Sequence, residues 1–367
     1  TFRTRGEARA FLSAAETALA RGEWTPPHLP VPEPVKPWTL AEWAGTVLER
    51  RRPLDPERPR KGEWKQKTLE ENARLLRRRI LPRLGGFELT AITPEAVASW
   101  HAALKPDDPS KRKGDRERAN AYGLLSRLMR EAVDADLIER SPCRVRGGSK
   151  PPKPARVPLP TPVEIELAAA AMPPRLALAV WLAAYCGLRS GEIRGLRVGD
   201  FDLGGGRPVV RVERGVEDVV GGRVVTTPKS AASRRTVPLP QSARADLPSL
   251  VRAHLGAHAG GGDQDWLFPG MDGGPLPDST LGDAWRAARA AAGMPPGTRF
   301  HLLRHYAATV MLVFGRMSER QVCDTLGQAD LGMAKVYVQD VLAEREAAMG
   351  RMADALAGGA IDRALAR

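Results

Sequence analysis

A mainly α-helical protein with a small β-sheet is what this sequence predicts, divided into a helical unit and a mixed α/β unit. Three observations carry that reading. Apolar residues recur at helical spacing along much of the chain; over 117–135, Leu124, Leu125, Leu128, Met129, Ala132 and Val133 make one continuous stripe. Short β-like runs are confined to 208–214, 222–227 and 234–239. Two proline-rich stretches, 26–37 and 147–160, interrupt the pattern, and 367 residues are too many for one ordinary core, so these stretches read as linkers.

The first predicted helix is 5–21. Ala8, Phe11, Leu12, Ala15 and Leu19 share a face, and Gly22 is the stop. Pro26, Pro27, Pro30, Pro32, Pro34 and Pro37 then exclude helix and define the first linker. The helical unit spans 38–146. It opens with Thr39 and Glu42 at capping-box spacing ahead of Trp43 and Val47. Over 67–81, Leu69, Ala73, Leu76 and Ile80 alternate with Arg74, Arg77, Arg78 and Arg79, which predicts a helix with one buried and one basic side. Thr93-Pro94 starts another, since proline suits the first helical position.

The second linker, 147–160, gives way to a mixed unit over 161–367. Thr161-Pro162-Val163-Glu164 combines an N-cap, a first-turn proline and a capping-box glutamate. An apolar helix with Leu176, Val180, Leu182 and Tyr185 runs into Gly187. Of the three β-like runs, the first two read as a hairpin turning at Gly221-Gly222. Helices resume after about residue 279 and continue to the C-terminus.

Charge narrows the function. Lys and Arg total 56 against 43 acids, a net charge of +13 that attracts polyanions, nucleic acid foremost. Charge alone fits a basic protein without such a partner equally well. Hydrophobic residues at 43% exclude a disordered chain. Cys143, Cys186 and Cys323 lack metal-ligand spacing, so no metal site is expected, and so few cysteines suit a reducing cytoplasm. No apolar run reaches the roughly 18 residues a membrane span needs. The first residue is Thr1, so an upstream portion is expected.

Chemistry-bearing residues are scattered through the mixed unit: Arg189, Lys229, His301, Arg304, Gln328 and Tyr337. Singly, each has an ordinary explanation. Arg189 could cap a helix or pair with a surface acid. His301 and Arg304, three apart, could be a polar pair on a helix surface. Tyr337 could be a half-buried aromatic. Lys229 is the only lysine between Lys153 and Lys335, in a region otherwise supplied with arginine. An amine can be tuned to give up a proton and a guanidinium cannot, although chance also explains one residue.

Taken in order, the segments resemble a family. Gly187-Leu188-Arg189-Ser190-Gly191-Glu192, then Lys229, then His301-Leu302-Leu303-Arg304-His305, then Leu326-Gly327-Gln328, then Tyr337 nine residues on, are similar to the tyrosine recombinases of phage-integrase type, in particular the actinobacterial kind. The resemblance covers nearly the whole chain. It identifies 38–146 as a helical core-binding domain and 161–367 as a mixed α/β catalytic domain with a C-terminal helix. Residues 1–25 resemble the closing helix of a truncated arm-site-binding domain.

The resemblance implies site-specific cleavage and rejoining of double-stranded attachment-site DNA, without metal or cofactor, for integration and excision of a phage or mobile element. Tyr337 would be the nucleophile, His301 its proton acceptor, Arg189 and Arg304 the grip on the non-bridging oxygens, and Lys229 the acid for the leaving oxygen. Glu192 and His305 would orient the arginine and the helix. Gln328 stands where the family usually has His; it can donate a hydrogen bond but carries no charge. Lys111, Arg112, Lys113, Arg116, Arg118, Arg74, Arg77 and Arg78 are the candidate DNA contacts, against the plain alternative of a solvated surface. A homotetramer on DNA, an accessory directionality factor and a bacterial, nucleoid-associated location also follow. Residues 341–357 would dock on a neighbouring protomer or on their own domain. The rival readings are a DNA-binding integrase remnant that does not cut, a type IB topoisomerase-like enzyme, and a basic transcription regulator.

Overall fold

The structure, a computed structural model, describes residues 4–24, 37–104, 113–151, 157–204, 206–226, 234–242, 245–258, 262–328 and 330–332, with the isolated residues Val338, Glu346 and Met349. Helix α1 (Arg5–Ala20) starts at a capping box between Thr4 and Glu7 and buries none of its residues. Phe11, Leu12 and Leu19 stay largely exposed along its apolar face.

The helical unit consists of α2 (Leu40–Arg50), α3 (Gln66–Leu75), α4 (Leu81–Leu84), α5 (Pro94–Ala103) and α6 (Lys113–Asp134). Its core gathers Leu40, Trp43, Val47, Leu76, Ile80, Val97, Trp100, Leu125, Leu128 and Met129. The two indoles keep their polar atoms satisfied inside it: Trp43 Nε1 donates to the Leu128 carbonyl at 2.9 Å and Trp100 Nε1 to the Arg79 carbonyl at 2.8 Å. The 67–81 stretch is not the single regular helix its periodicity predicts. A π turn, Leu76–Ile80, separates α3 from α4. Around this wide turn Leu75, Leu76, Ile80 and Leu84 all bury, while Arg77, Arg78 and Arg79 face out.

In the mixed unit, α7 (Pro162–Ala171), α8 (Pro174–Cys186) and α9 (Ser190–Arg194) precede the strands, and α10 (Leu247–His258), α11 (Asp278–Ala291), α12 (Leu302–Val313) and α13 (Glu319–Leu326) follow. Helix α8 lies at the centre, with Leu176, Ala179, Val180, Leu182 and Cys186 buried, and packs against α7, α10 and α12. Helix α10 is absent from the sequence reading. Leu247, Pro248, Val251 and His254 are its buried positions, at helical spacing, but Pro248 and the glycines after His258 mask the signal.

The strand pairing also corrects an expectation. β1 (Phe201–Asp202), β2 (Val209–Val212) and β5 (Arg235–Pro238) form one antiparallel sheet in the order β1-β2-β5, with Val210 opposite Val237. The hairpin that turns at Val220-Gly221 joins β3 (Gly215–Val219) to β4 (Gly222–Thr226), not the 208–214 run to 222–227. Val210 and Val212 both point into the core, so β2 pairs where the sheet covers it. Glu217 and Asp218 break the apolar alternation that would mark β3.

The two units touch where α3 meets β3. Lys65 Nζ lies 3.0 Å from Glu217 Oε1, and the Val220 backbone N–H at the hairpin tip donates to Glu70 Oε2 at 3.0 Å. Among the described residues, no helix is long and apolar enough to cross a membrane.

Candidate active site

The site forms where the α8–α9 turn meets α12 and the end of α13. Gly187 terminates α8 in the left-handed region, with φ at 66°. A side chain there would also collide with the Leu326 side chain of α13, so glycine is needed on both counts. This close approach leaves the Gly187 and Leu326 carbonyls facing Arg304 of α12. Arg304 is 3% exposed and donates to Gly187 O at 2.5 Å, Leu326 O at 2.7 Å and Gln328 Oε1 at 2.8 Å. Burial and the neighbouring Arg189 charge lower the Arg304 pKa, and Glu192 opposes them. A guanidinium still keeps its charge at neutral pH.

Arg189 is the N-cap of α9. Its backbone N–H and its Nη1 donate to the Glu192 carboxylate at 2.9 and 2.8 Å, and its Nη2 lies 3.5 Å from the Gly327 carbonyl. Glu192 is almost fully buried and a second arginine grips it. Arg235 of β5 donates to Glu192 Oε1 at 3.1 Å and Oε2 at 3.0 Å, and sends Nε to the Thr325 carbonyl at 2.6 Å. Arg304 Nη1 stands 3.9 Å from the same carboxylate. Burial pushes the Glu192 carboxyl up, but hydrogen bonding and charge from Arg235 and Arg189 outweigh it and hold the pKa below its ordinary value. Three guanidiniums around one carboxylate leave this corner cationic, as a phosphodiester site requires.

His301 caps the start of α12, and its ring meets that of His305 edge to face, with centroids 5.0 Å apart. His301 lies exposed at the start of the helix. Desolvation, then His305, Arg304 and Arg189, push its imidazole down to about 4, with Glu192 opposing. His305 shifts down as well, through burial and Arg304. Both rings are therefore neutral near pH 7.

The structure brings together Arg189, Glu192, Arg304 and Gln328, with His301 and His305 on the adjoining helix. Lys229 and Tyr337 lie outside the described residues, as does the 341–357 segment apart from Glu346 and Met349. Strands β4 and β5, which flank Lys229 in sequence, are described. Lys111 and Arg112 also fall outside, and Lys113 only begins α6. Arg74 is not the uncommitted surface cation its helix face suggested: it pairs with Glu71 at 2.8 Å and Glu117 at 3.1 Å. Arg118 sits 3.6 Å from Asp115, whereas Arg77, Arg78 and Arg116 are exposed. Sequence reasoning missed Arg235. Its signal was present: Arg235 and Val237 share the inward face of a strand, where an arginine demands a partner.

Residues 162–343 match the Phage integrase family. A putative prophage phiRv2 integrase of Mycobacterium tuberculosis is 32% identical across 92% of this chain and 83% of its own length. The chain belongs to the phage integrase family. The integrase of Mycobacterium phage D29 is 28% identical, covering 96% of this chain and 88% of that one. Among solved structures, the Tn1549 transposon integrase in complex with a circular intermediate DNA has a TM-score of 0.65 at 18% identity, over 84% of this chain and 99% of that chain. A lambda integrase tetramer bound to a Holliday junction has a TM-score of 0.60 at 18% identity, over 90% of each chain. At such identities the likeness is one of fold. The Arg189, Glu192, Arg304 and Gln328 cluster lies inside the part of this integrase that matches the family.

Proposed function

We propose that this integrase, a site-specific tyrosine recombinase, breaks and rejoins DNA strands through a covalent link to Tyr337. The observation that carries the reading is the cationic corner at Arg189 and Arg304. Arg304 has five N–H groups, and three hydrogen bonds to Gly187, Leu326 and Gln328 leave two for a phosphate. The carbonyls hold the guanidinium in place before any substrate arrives, so little reorganisation remains for the reaction.

In this reading the Tyr337 hydroxyl attacks phosphorus and its proton passes to neutral His301. Arg189 and Arg304 take up charge on the non-bridging oxygens. The P–O5′ bond breaks, Lys229 gives the departing oxygen a proton, and a 3′-phosphotyrosyl link keeps the bond energy for rejoining. Gln328 adds a neutral hydrogen bond. Arg304 has only donors, so the Gln328 amide must turn its oxygen toward it and its NH₂ away, toward a ligand. The helical unit would hold the duplex with Arg77, Arg78 and Arg116, and recombination would use a homotetramer on DNA, as in the lambda integrase complex.

A nicked core-site substrate that traps the covalent intermediate tests the assignment. Wild-type protein forms an adduct that survives denaturation, and Tyr337→Phe binds the same DNA without forming one. An adduct in Tyr337→Phe would overturn the nucleophile.

A further inference from the structure

We propose that Arg235 is a positioning residue for strand cleavage, acting through Glu192 and the end of α13 without touching the phosphate. The inference rests on the cleavage reading above. Arg235 stands at the start of β5, the strand that follows Lys229 in sequence, and its side chain is 5% exposed. Its planar fork meets both Glu192 oxygens at 3.1 and 3.0 Å, while Nε reaches the Thr325 carbonyl at 2.6 Å. Glu192 in turn holds Arg189, and Thr325 lies three residues before Gln328. One side chain therefore ties the start of β5, the helix start that carries Arg189 and the turn that carries Gln328.

The geometry selects arginine. Three donors in one plane serve two acceptors on different elements, and a lysine ammonium is a point charge that cannot span them. Without Arg235, the carboxylate still faces Arg189 from the start of α9 and Arg304 and His301 from α12. Two effects then act on cleavage. Arg189 loses the fixed partner that aims it, and Glu192 loses the charge that most strongly opposes its burial, so its pKa rises. A purely structural staple would lower the folded fraction, and with it binding and cleavage in step.

The test uses the full chain with Arg235→Met, Arg235→Lys, Glu192→Gln and the double variant Arg235→Met/Glu192→Gln. Each is measured for core-site affinity and for single-turnover adduct formation on pre-bound nicked substrate, across pH. Expected for Arg235→Met is near-normal affinity with cleavage slowed roughly 10- to 150-fold, the worth of one charged hydrogen bond. Its acid limb should move to higher pH. Arg235→Lys should recover part of the rate. The double variant should be little slower than the worse single variant, because both act on one element. The proposal is overturned if Arg235→Met cleaves at the wild-type rate, if affinity and rate fall together with the acid limb unmoved, or if the two substitutions are additive. No adduct from wild-type protein would instead sink the cleavage reading itself.

Discussion

Replacing Gly187 with alanine strikes the site through the backbone alone. The residue sits at φ 66°, where a Cβ costs roughly 1–2 kcal/mol. The same Cβ would collide with the Leu326 side chain, which is fully buried, and relieving such a clash in a packed core costs about 1–3 kcal/mol more. The sum is about 2–5 kcal/mol, and at about 2–4 °C per kcal/mol for a unit of this size the melting temperature should fall by roughly 4–20 °C. Any relief that moves α13 away also moves the Leu326 carbonyl, one of the three acceptors that hold Arg304. Cleavage by the folded protein should therefore slow as well. Calorimetry and single-turnover adduct formation, measured well below the transition, separate the two effects. A Gly187→Ala protein that melts within about one degree of wild type would refute the packing argument, since the backbone term alone predicts more.

Other outcomes follow from single contacts. Gln328→Leu should slow cleavage about five-fold, the worth of one neutral hydrogen bond, with DNA affinity unchanged; Gln328→His should be tolerated near pH 7, where a neutral imidazole keeps an acceptor for Arg304. A Leu variant as fast as wild type would remove Gln328 from the site. With His301 pushed down to about 4, the neutral base persists under acid conditions where an ordinary histidine is already charged. Single-turnover rates should hold from pH 7 to about 5 and fall as pH approaches 4, and a midpoint near 6.5 would contradict this. The same shift ties stability to pH. The His301 contribution is complete above about 6.5 and is lost as pH falls through the folded value, which acid titration of the melting temperature would detect. Lys65→Glu should open the contact between α3 and the β3–β4 hairpin, and Lys65→Glu/Glu217→Lys should close it again, read by energy transfer between labels on the two units. A double variant no more closed than the single one would show that this ion pair does not hold the units together.

Local signals in the chain foretold the elements whose stabilising groups lie close in sequence. The capping boxes at Thr39–Glu42 and Thr161–Glu164 form as spaced, and the α6 stripe buries as its periodicity requires. Most of what was hidden depends on distant partners. Strand β3 carries Glu217 and Asp218 because they pair with Lys65 and Arg194, so its polarity made it look like a loop. The π turn after α3 comes just before Pro82, whose missing N–H and ring cannot continue a regular helix past Arg78, while the Trp100 indole donates to the Arg79 carbonyl. At the site, the order and spacing of Arg189, Arg304 and Gln328 were legible. Arg235 was not read because its meaning lies in Glu192, 43 positions away.

The carboxylate shared by Arg189, Arg235 and Arg304 has an evolutionary consequence. A lineage cannot exchange one of these four side chains at a time. Loss of Glu192 leaves three crowded cations, and loss of any arginine leaves a buried anion with less to offset it. Among descendants of a common ancestor, these positions should change as a block or stay as they are. Arginines exposed on the helical unit, such as Arg77 and Arg116, carry no such shared partner and are free to drift one at a time.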